Sequence, residues 1–425
     1  MNANSNLLAG RLATLVLGVA VVGATCLIAG KPAAAAEEKK DKNTVSKELA
    51  KPLKAAQDAL NAKKYPDALA KLKEAESNPK KTPYDEHVIN ELAGVAYART
   101  QNYPEAEKAF EAQVNDGFLE QSEIPMRVKA VSQINYQLKN YDKAIDYGTR
   151  AIKGGYADEE IYIIVGQSYY LKGDWKGTLK FEDTMVENDI KAGRTPKDQS
   201  LQLILSSCVK IEDADCTTKA LERLVTYYPK IEYWQQLLYT LAQTPDMEKS
   251  GDRTQLQLFR LMSEVDVLKR PEDYTEMAQL AMEQGSPGEA QHILEKGFQK
   301  NIFADQRSKD KNQRLLEAAK KQASQDVATL PKIEQDARTA ATGDKDVGVG
   351  LAYLGYQQYD KATDLLSQGL TKGGVKSEPE ARLLLGIAQL KAGHKDDAVK
   401  SFRAVKGDPN LERLASLWSL RAKQA

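Results

Sequence analysis

The 425 residues carry 60 basic and 60 acidic side chains, and no basic tract stands out. That balance argues against nucleic acid as a partner. Three His and three Cys, with no ligand spacing between them, exclude a zinc site of the usual kind. In chain order, the first 36 residues contain no acid; Arg11 leads an apolar run from Leu12 to Gly30, and Ala33–Ala36 follows Lys31-Pro32. A basic start, an apolar middle and an Ala-x-Ala end read as an export signal over residues 1–36, cleaved after Ala36. The run, at about 18 residues, also has the length of a membrane anchor, which is the alternative. Cys26 follows Gly23-Ala24-Thr25, which lacks the Leu of a lipoprotein signal. Residues 37–48 are charged and nearly free of apolar groups, so they read as a flexible spacer. The exported chain keeps 58 basic and 60 acidic residues.

From residue 49 onward a helix–turn–helix unit recurs every 34 to 39 residues. Gly94 precedes Ala106 by twelve residues, Gly350 precedes Ala362, and Gly386 precedes Ala398. A large residue follows four positions after each Ala: Phe110, Leu366 and Phe402. Small residues let the two helices approach, and the large one fills the space between hairpins. One hairpin cannot bury its apolar face alone, so stacking supplies the core.

At these residues the chain resembles the tetratricopeptide repeat family. Residues 160–190 match through Tyr162, Gly166, Tyr169, Gly173, Asp174 and Phe181, with Thr178 in place of the usual Ala. Residues 271–303 match through Tyr274, Ala278, Gly285, Ala290 and Leu294. The resemblance implies an all-α protein: a right-handed α-solenoid of eight to nine repeats that binds other proteins. The expected organisation is repeats over 49–304, an atypical helical insertion over 305–341, repeats over 343–410, and a capping helix over 411–425. The insertion is expected to break near Pro331, because proline lacks the N–H a helix interior needs. It reads either as a packing hairpin or as a hinge or docking arm. Thr244–Asp252 reads as a polar loop.

A search for chemistry returns little. His87, His292 and His394 fall in different repeats. Two Ser-x-x-Lys matches, at Ser207 and Ser308, have no companion motifs. No phosphate loop, HExxH or calcium loop is present. Neither an enzyme nor a cofactor is expected. Cys208 and Cys216 flank a turn at Lys210–Asp213, on opposite arms of one hairpin. They read either as a disulfide or as two buried thiols.

The resemblance also implies that first helices line the concave face. Repeat register places Lys129, Gln133, Tyr136, Gln137, Gln167, Tyr170, Gln202, Ser206, Gln235, Tyr239 and Gln279 there, in the middle of the chain. Val95, Leu351 and Ile387 hold the same slot at the ends. Amides offer donors and acceptors that suit the backbone of an extended peptide, and Tyr adds rigid area. The alternative is a plain solvated face, since Gln also favours helix. The expectation is an exported scaffold in the periplasm of a Gram-negative bacterium, with envelope proteins as partners and membrane contact only through an uncleaved N-terminus. The alternative is a module for envelope polysaccharide or its export, with Tyr162, Tyr170, Trp175 and Tyr239 as stacking residues.

Overall fold

A computed structural model describes residues 43–425. The export signal, Cys26 and the first half of the spacer lie outside the described residues. Among the described residues there are 21 helices and no strand. None of these helices is long and apolar enough to cross a membrane. The chain forms two compact units, one ending at Ile211 and the other running Glu212–Ala425.

The first unit contains α1 (Lys47–Asn61), α2 (Tyr65–Glu76), α3 (Pro83–Arg99), α4 (Tyr103–Asp116), α5 (Ile124–Gln137), α6 (Tyr141–Lys153), α7 (Glu159–Lys172), α8 (Trp175–Lys191) and α9 (Asp198–Lys210). Consecutive helices pack as hairpins, α1 on α2 through α7 on α8. The first helices also touch their successors, α1 with α3 and α5 with α7 and then α9, so they share one face. Local chemistry sets the helix ends. Thr82 and Asp85 form a capping box at α3, and Asp158 and Asp174 cap α7 and α8. Gly117 and Gly173 end α4 and α7 in the left-handed region, at φ 82° and 83°. Lys63, Gln101 and Lys139 take φ 60° at the turn where Gly173 sits in its own hairpin, two residues before the second helix. One turn geometry thus recurs whether or not glycine supplies it. Hairpin packing outweighs the small cost of a side chain in that region.

The pairing of a small residue with a large one is the core contact. A Cβ on Gly94 would run into the ring of Phe110, which is fully buried. In the second unit a Cβ on Gly350 would lie 2.8 Å from Leu366, and one on Gly386 would lie 2.5 Å from Phe402. That unit contains α10 (Ala214–Tyr227), α11 (Ile231–Ala242), α12 (Pro245–Glu248), α13 (Asp252–Glu264), α14 (Pro271–Glu283), α15 (Pro287–Gln299), α16 (Gln306–Thr339), α17 (Asp344–Gly355), α18 (Tyr359–Lys372), α19 (Glu378–Lys391), α20 (Lys395–Arg403) and α21 (Pro409–Gln424). The segment read as a polar loop holds α12, pinned by buried Met247.

One expectation is corrected in this unit. α16 runs unbroken for 34 residues with Pro331 inside it. Pro331 lies on the exposed face, as does Val327 four residues before it. Water can therefore satisfy the carbonyl that proline leaves without a donor, while buried Leu330 and Ala337 hold the helix down. α16 is thus one long strut on α15 rather than a hairpin. The last repeats of the unit also pack back on its earlier ones. α17 packs against α15 so closely that a Cβ on Gly288 would lie 2.5 Å from the ring of Tyr356. Glu380 of α19 accepts from Arg253 at 3.1 Å and Gln257 at 3.2 Å, both on α13. Glu264, at the end of α13, pairs with Lys391 of α19 and, at 3.3 Å, with Arg421 of α21. The first-helix faces of the last two repeats therefore lie on the second helices of earlier ones. Leu351 is half-buried and Ile387 is buried, so their apolar character reflects packing within the chain.

The final helix does more than seal the last repeat. Trp418 stacks on Phe402 with centroids 5.9 Å apart. Arg413 reaches Glu222 of α10 at 2.9 Å, and Gln424 donates to the Val225 carbonyl at 2.8 Å. Trp418→Ala should cost about 3–5 kcal/mol by chemical unfolding. A loss below about 1 kcal/mol, the scale of an ordinary surface change, would show that α21 is a dispensable cap.

Candidate protein-binding groove

The shared face of α5, α7 and α9 carries most of the expected site. It is laced rather than simply solvated. The Tyr136 hydroxyl donates to Gln167 Oε1 on the next first helix at 2.5 Å. Tyr170 Oη and Ser206 Oγ repeat the contact one helix further on, also at 2.5 Å. Trp175 meets the Tyr170 ring edge-on with centroids 5.0 Å apart. Lys129 pairs with Asp158 and, at 3.0 Å, with Glu160. Burial pulls the Lys129 pKa down, but these two carboxylates outweigh it and hold the ammonium above its usual range. Gln202 donates within its own helix to Asp198 at 3.0 Å.

Burial corrects the amide reading. Gln133 is 3% exposed and Gln167 4%, so neither presents an open amide to a partner backbone. Gln167 lies between neighbouring first helices, held by Tyr136 of the helix before it. Gln137 stays half-buried on the same face. The helices α7 and α9 also carry two open aliphatic side chains. Leu171 and Val209 are each 45% exposed, at the ends of α7 and α9. In the second unit, Gln235 accepts from Lys269 at 2.6 Å and the Tyr239 hydroxyl donates to Asp273, which is 1% exposed. Burial first, then that hydrogen bond, pushes the Tyr239 phenol up to about 12. Gln279 is exposed and stands apart from both pairs.

The reading also passed over Glu182. It lies sixteen residues after Gly166, the slot that holds Phe110 after Gly94 and Phe402 after Gly386. Phe181, which catches the eye instead, is only half-buried. Counting from the glycine would have found the carboxylate. His87 is buried, with Nδ1 2.8 Å from Asp116 and its ring between Tyr84 and Phe118. It ties the start of α3 to the end of α4. Among the described residues no group of three His, Cys, Asp or Glu side chains is placed to hold a metal. Cys208 and Cys216 are both disulfide-bonded.

The tetratricopeptide repeat family model matches residues 53–116 and 350–412. No curated protein sequence matches the chain. Solved structures that resemble it include Naa15/Naa10 bound to HypK-THB, at 14% identity and TM-score 0.29, over 88% of this chain and 64% of that one. The P58(IPK) TPR domain resembles it at 12% identity and TM-score 0.24, over 89% and 99%. Yeast Tom70 does so at 11% and 0.25, over 89% and 96%. The chain thus spans less than two thirds of the Naa15/Naa10 chain. At these scores the likenesses carry no functional inference.

The ladder makes a local prediction. Tyr136→Phe should cost about 1 kcal/mol, and a double-mutant cycle with Gln167→Leu should show coupling of at least about 0.5 kcal/mol. Additive losses would mean that the contact does not hold the first helices together.

Proposed function

We propose that this tetratricopeptide-repeat chain is a scaffold for protein–protein interaction, and that it holds a partner segment on the α5–α7–α9 face in the periplasm of a Gram-negative envelope. The observation that carries this reading is the exposure of Leu171 on α7 and Val209 on α9, two helices tied together through Tyr170 and Ser206. Rings fixed in advance lose little entropy when a partner docks. Because Gln133 and Gln167 are buried, recognition falls to ring faces and aliphatic groups, and the partner segment brings apolar side chains. The second unit offers less, since it lays the first helices of its last repeats against its own chain.

Two features support export. The N-terminal 36 residues have the order of a cleaved signal. Disulfide-bonded Cys208 and Cys216 fit an oxidising compartment. The saccharide reading has less behind it, since the Arg270 guanidinium lies over the Tyr239 ring, 4.8 Å from its centroid, and takes the face a sugar would stack on.

Leu171→Asp combined with Val209→Asp should reduce crosslinking to the partner in intact envelopes at least about tenfold, since two buried apolar contacts are lost, without lowering the melting temperature. Unchanged crosslinking would remove this face from consideration. A thiol count on unreduced, denatured mature protein should find none; two free thiols would undo the export argument from the cysteines.

A further inference from the structure

Glu182 occupies a position built for an apolar side chain. Three sister repeats fill it with Phe110, Leu366 and Phe402, each packed on the glycine of its first helix. Here the carboxylate packs on Gly166, where an added Cβ would overlap Glu182 Oε1. The residue is 4% exposed. Its neighbours offer the ionised form little. From α9 comes the Ser200 hydroxyl, which hydrogen-bonds it; from the segment entering α9 comes Lys197; from its own helix comes Asp183, which repels it. From α7 comes the bare backbone of Gly166. Lys197 is already paired with Glu159 at 2.6 Å. The other charges of α7 are also engaged, Glu160 by Lys129 and Lys172 by Asp142. Burial, the dominant cause, pushes the Glu182 carboxyl up to about 7.

We propose that Glu182 is a proton-operated switch on the groove. When neutral, it fills its slot as its apolar counterparts do and holds α7 against α8 and α9. When ionised, it brings an uncompensated charge to Gly166, draws Lys197 from Glu159 or admits water, and loosens α7. Gln167 and Tyr170, the two ladder residues of α7, then lose their fixed positions. Its consequence for partner capture, firmer below neutral pH than above, rests on the scaffold reading; the switch itself does not.

The sign follows from linkage. A carboxyl whose folded pKa is raised binds its proton more tightly in the folded chain than in the unfolded one. Stability from this group is therefore greatest below about pH 4.5, falls as pH rises to about 7, and stays low above that. Over that range the folding equilibrium should lose roughly two orders of magnitude through this residue alone. The test is urea unfolding of the mature full-length protein between pH 5 and 8, with Trp175 fluorescence followed as the folded protein is titrated in a background where Trp234→Phe and Trp418→Phe leave Trp175 as the reporter. Glu182→Gln should match the native chain at pH 5, exceed it at pH 8, and abolish the Trp175 titration near neutral pH. Glu182→Leu, which restores the side chain type of the sister slots, should do the same if the amide disturbs folding. An equal offset between variant and native chain at every pH, or a Trp175 titration that survives both substitutions, would overturn the switch. No partner is needed for these measurements, so their failure is distinct from failure of the scaffold reading.

Discussion

One steric constraint recurs through the molecule: where hairpin helices meet most closely, one presents a bare backbone to the side chain of the other. Gly94 meets Phe110, Gly350 meets Leu366, and Gly386 meets Phe402, with no room for a Cβ in any of the three. Close-packed interiors resist even one added methyl group. The constraint therefore sets the distance between the helices of a hairpin and the face each hairpin offers to the next. Glu182 shows its strength, because the slot keeps its geometry even where a carboxylate fills it against Gly166.

Given that spacing, the first helices of the first unit lie close enough for side chains to bridge them. Tyr136 reaches Gln167 and Tyr170 reaches Ser206, one repeat later in each case. Polar groups chosen for a partner and polar groups chosen for the neighbouring helix look the same in one repeat. Only the pairing separates them, and here the pairing is internal. What remains for recognition is the surface of the helices so tied, on which Leu171 and Val209 are open.

The second unit uses the same hairpins differently. Its last repeats turn their first helices onto α13 and α15, and its final helix returns to α10 and α13. Residues more than 120 positions apart are thereby joined, as Arg253 and Glu380 are. Such closure ends the nearest-neighbour character of a simple repeat stack, in which each hairpin contacts only the next. α13 shows the result, with Leu256, Gln257, Leu258, Arg260, Leu261 and Met262 buried along most of its circumference.

Much of this was legible in the order of residues. The helix pairs, their period, the caps at Asp158 and Asp213, the turn between Cys208 and Cys216, and the small–large slot all depend on residues within one hairpin, where periodicity and capping act. Glu182 was also legible, by counting from Gly166, but a neighbouring Phe181 masked it. The tertiary structure alone decided which faces stay open. It buried Gln133 and Gln167, covered Ile387, carried α16 through Pro331, and committed the hydroxyls of Tyr136 and Tyr239. The physical reason is range. A hairpin is specified by contacts between near neighbours in sequence, whereas exposure is set by whatever distant helix arrives to cover it, and no local pattern records that arrival.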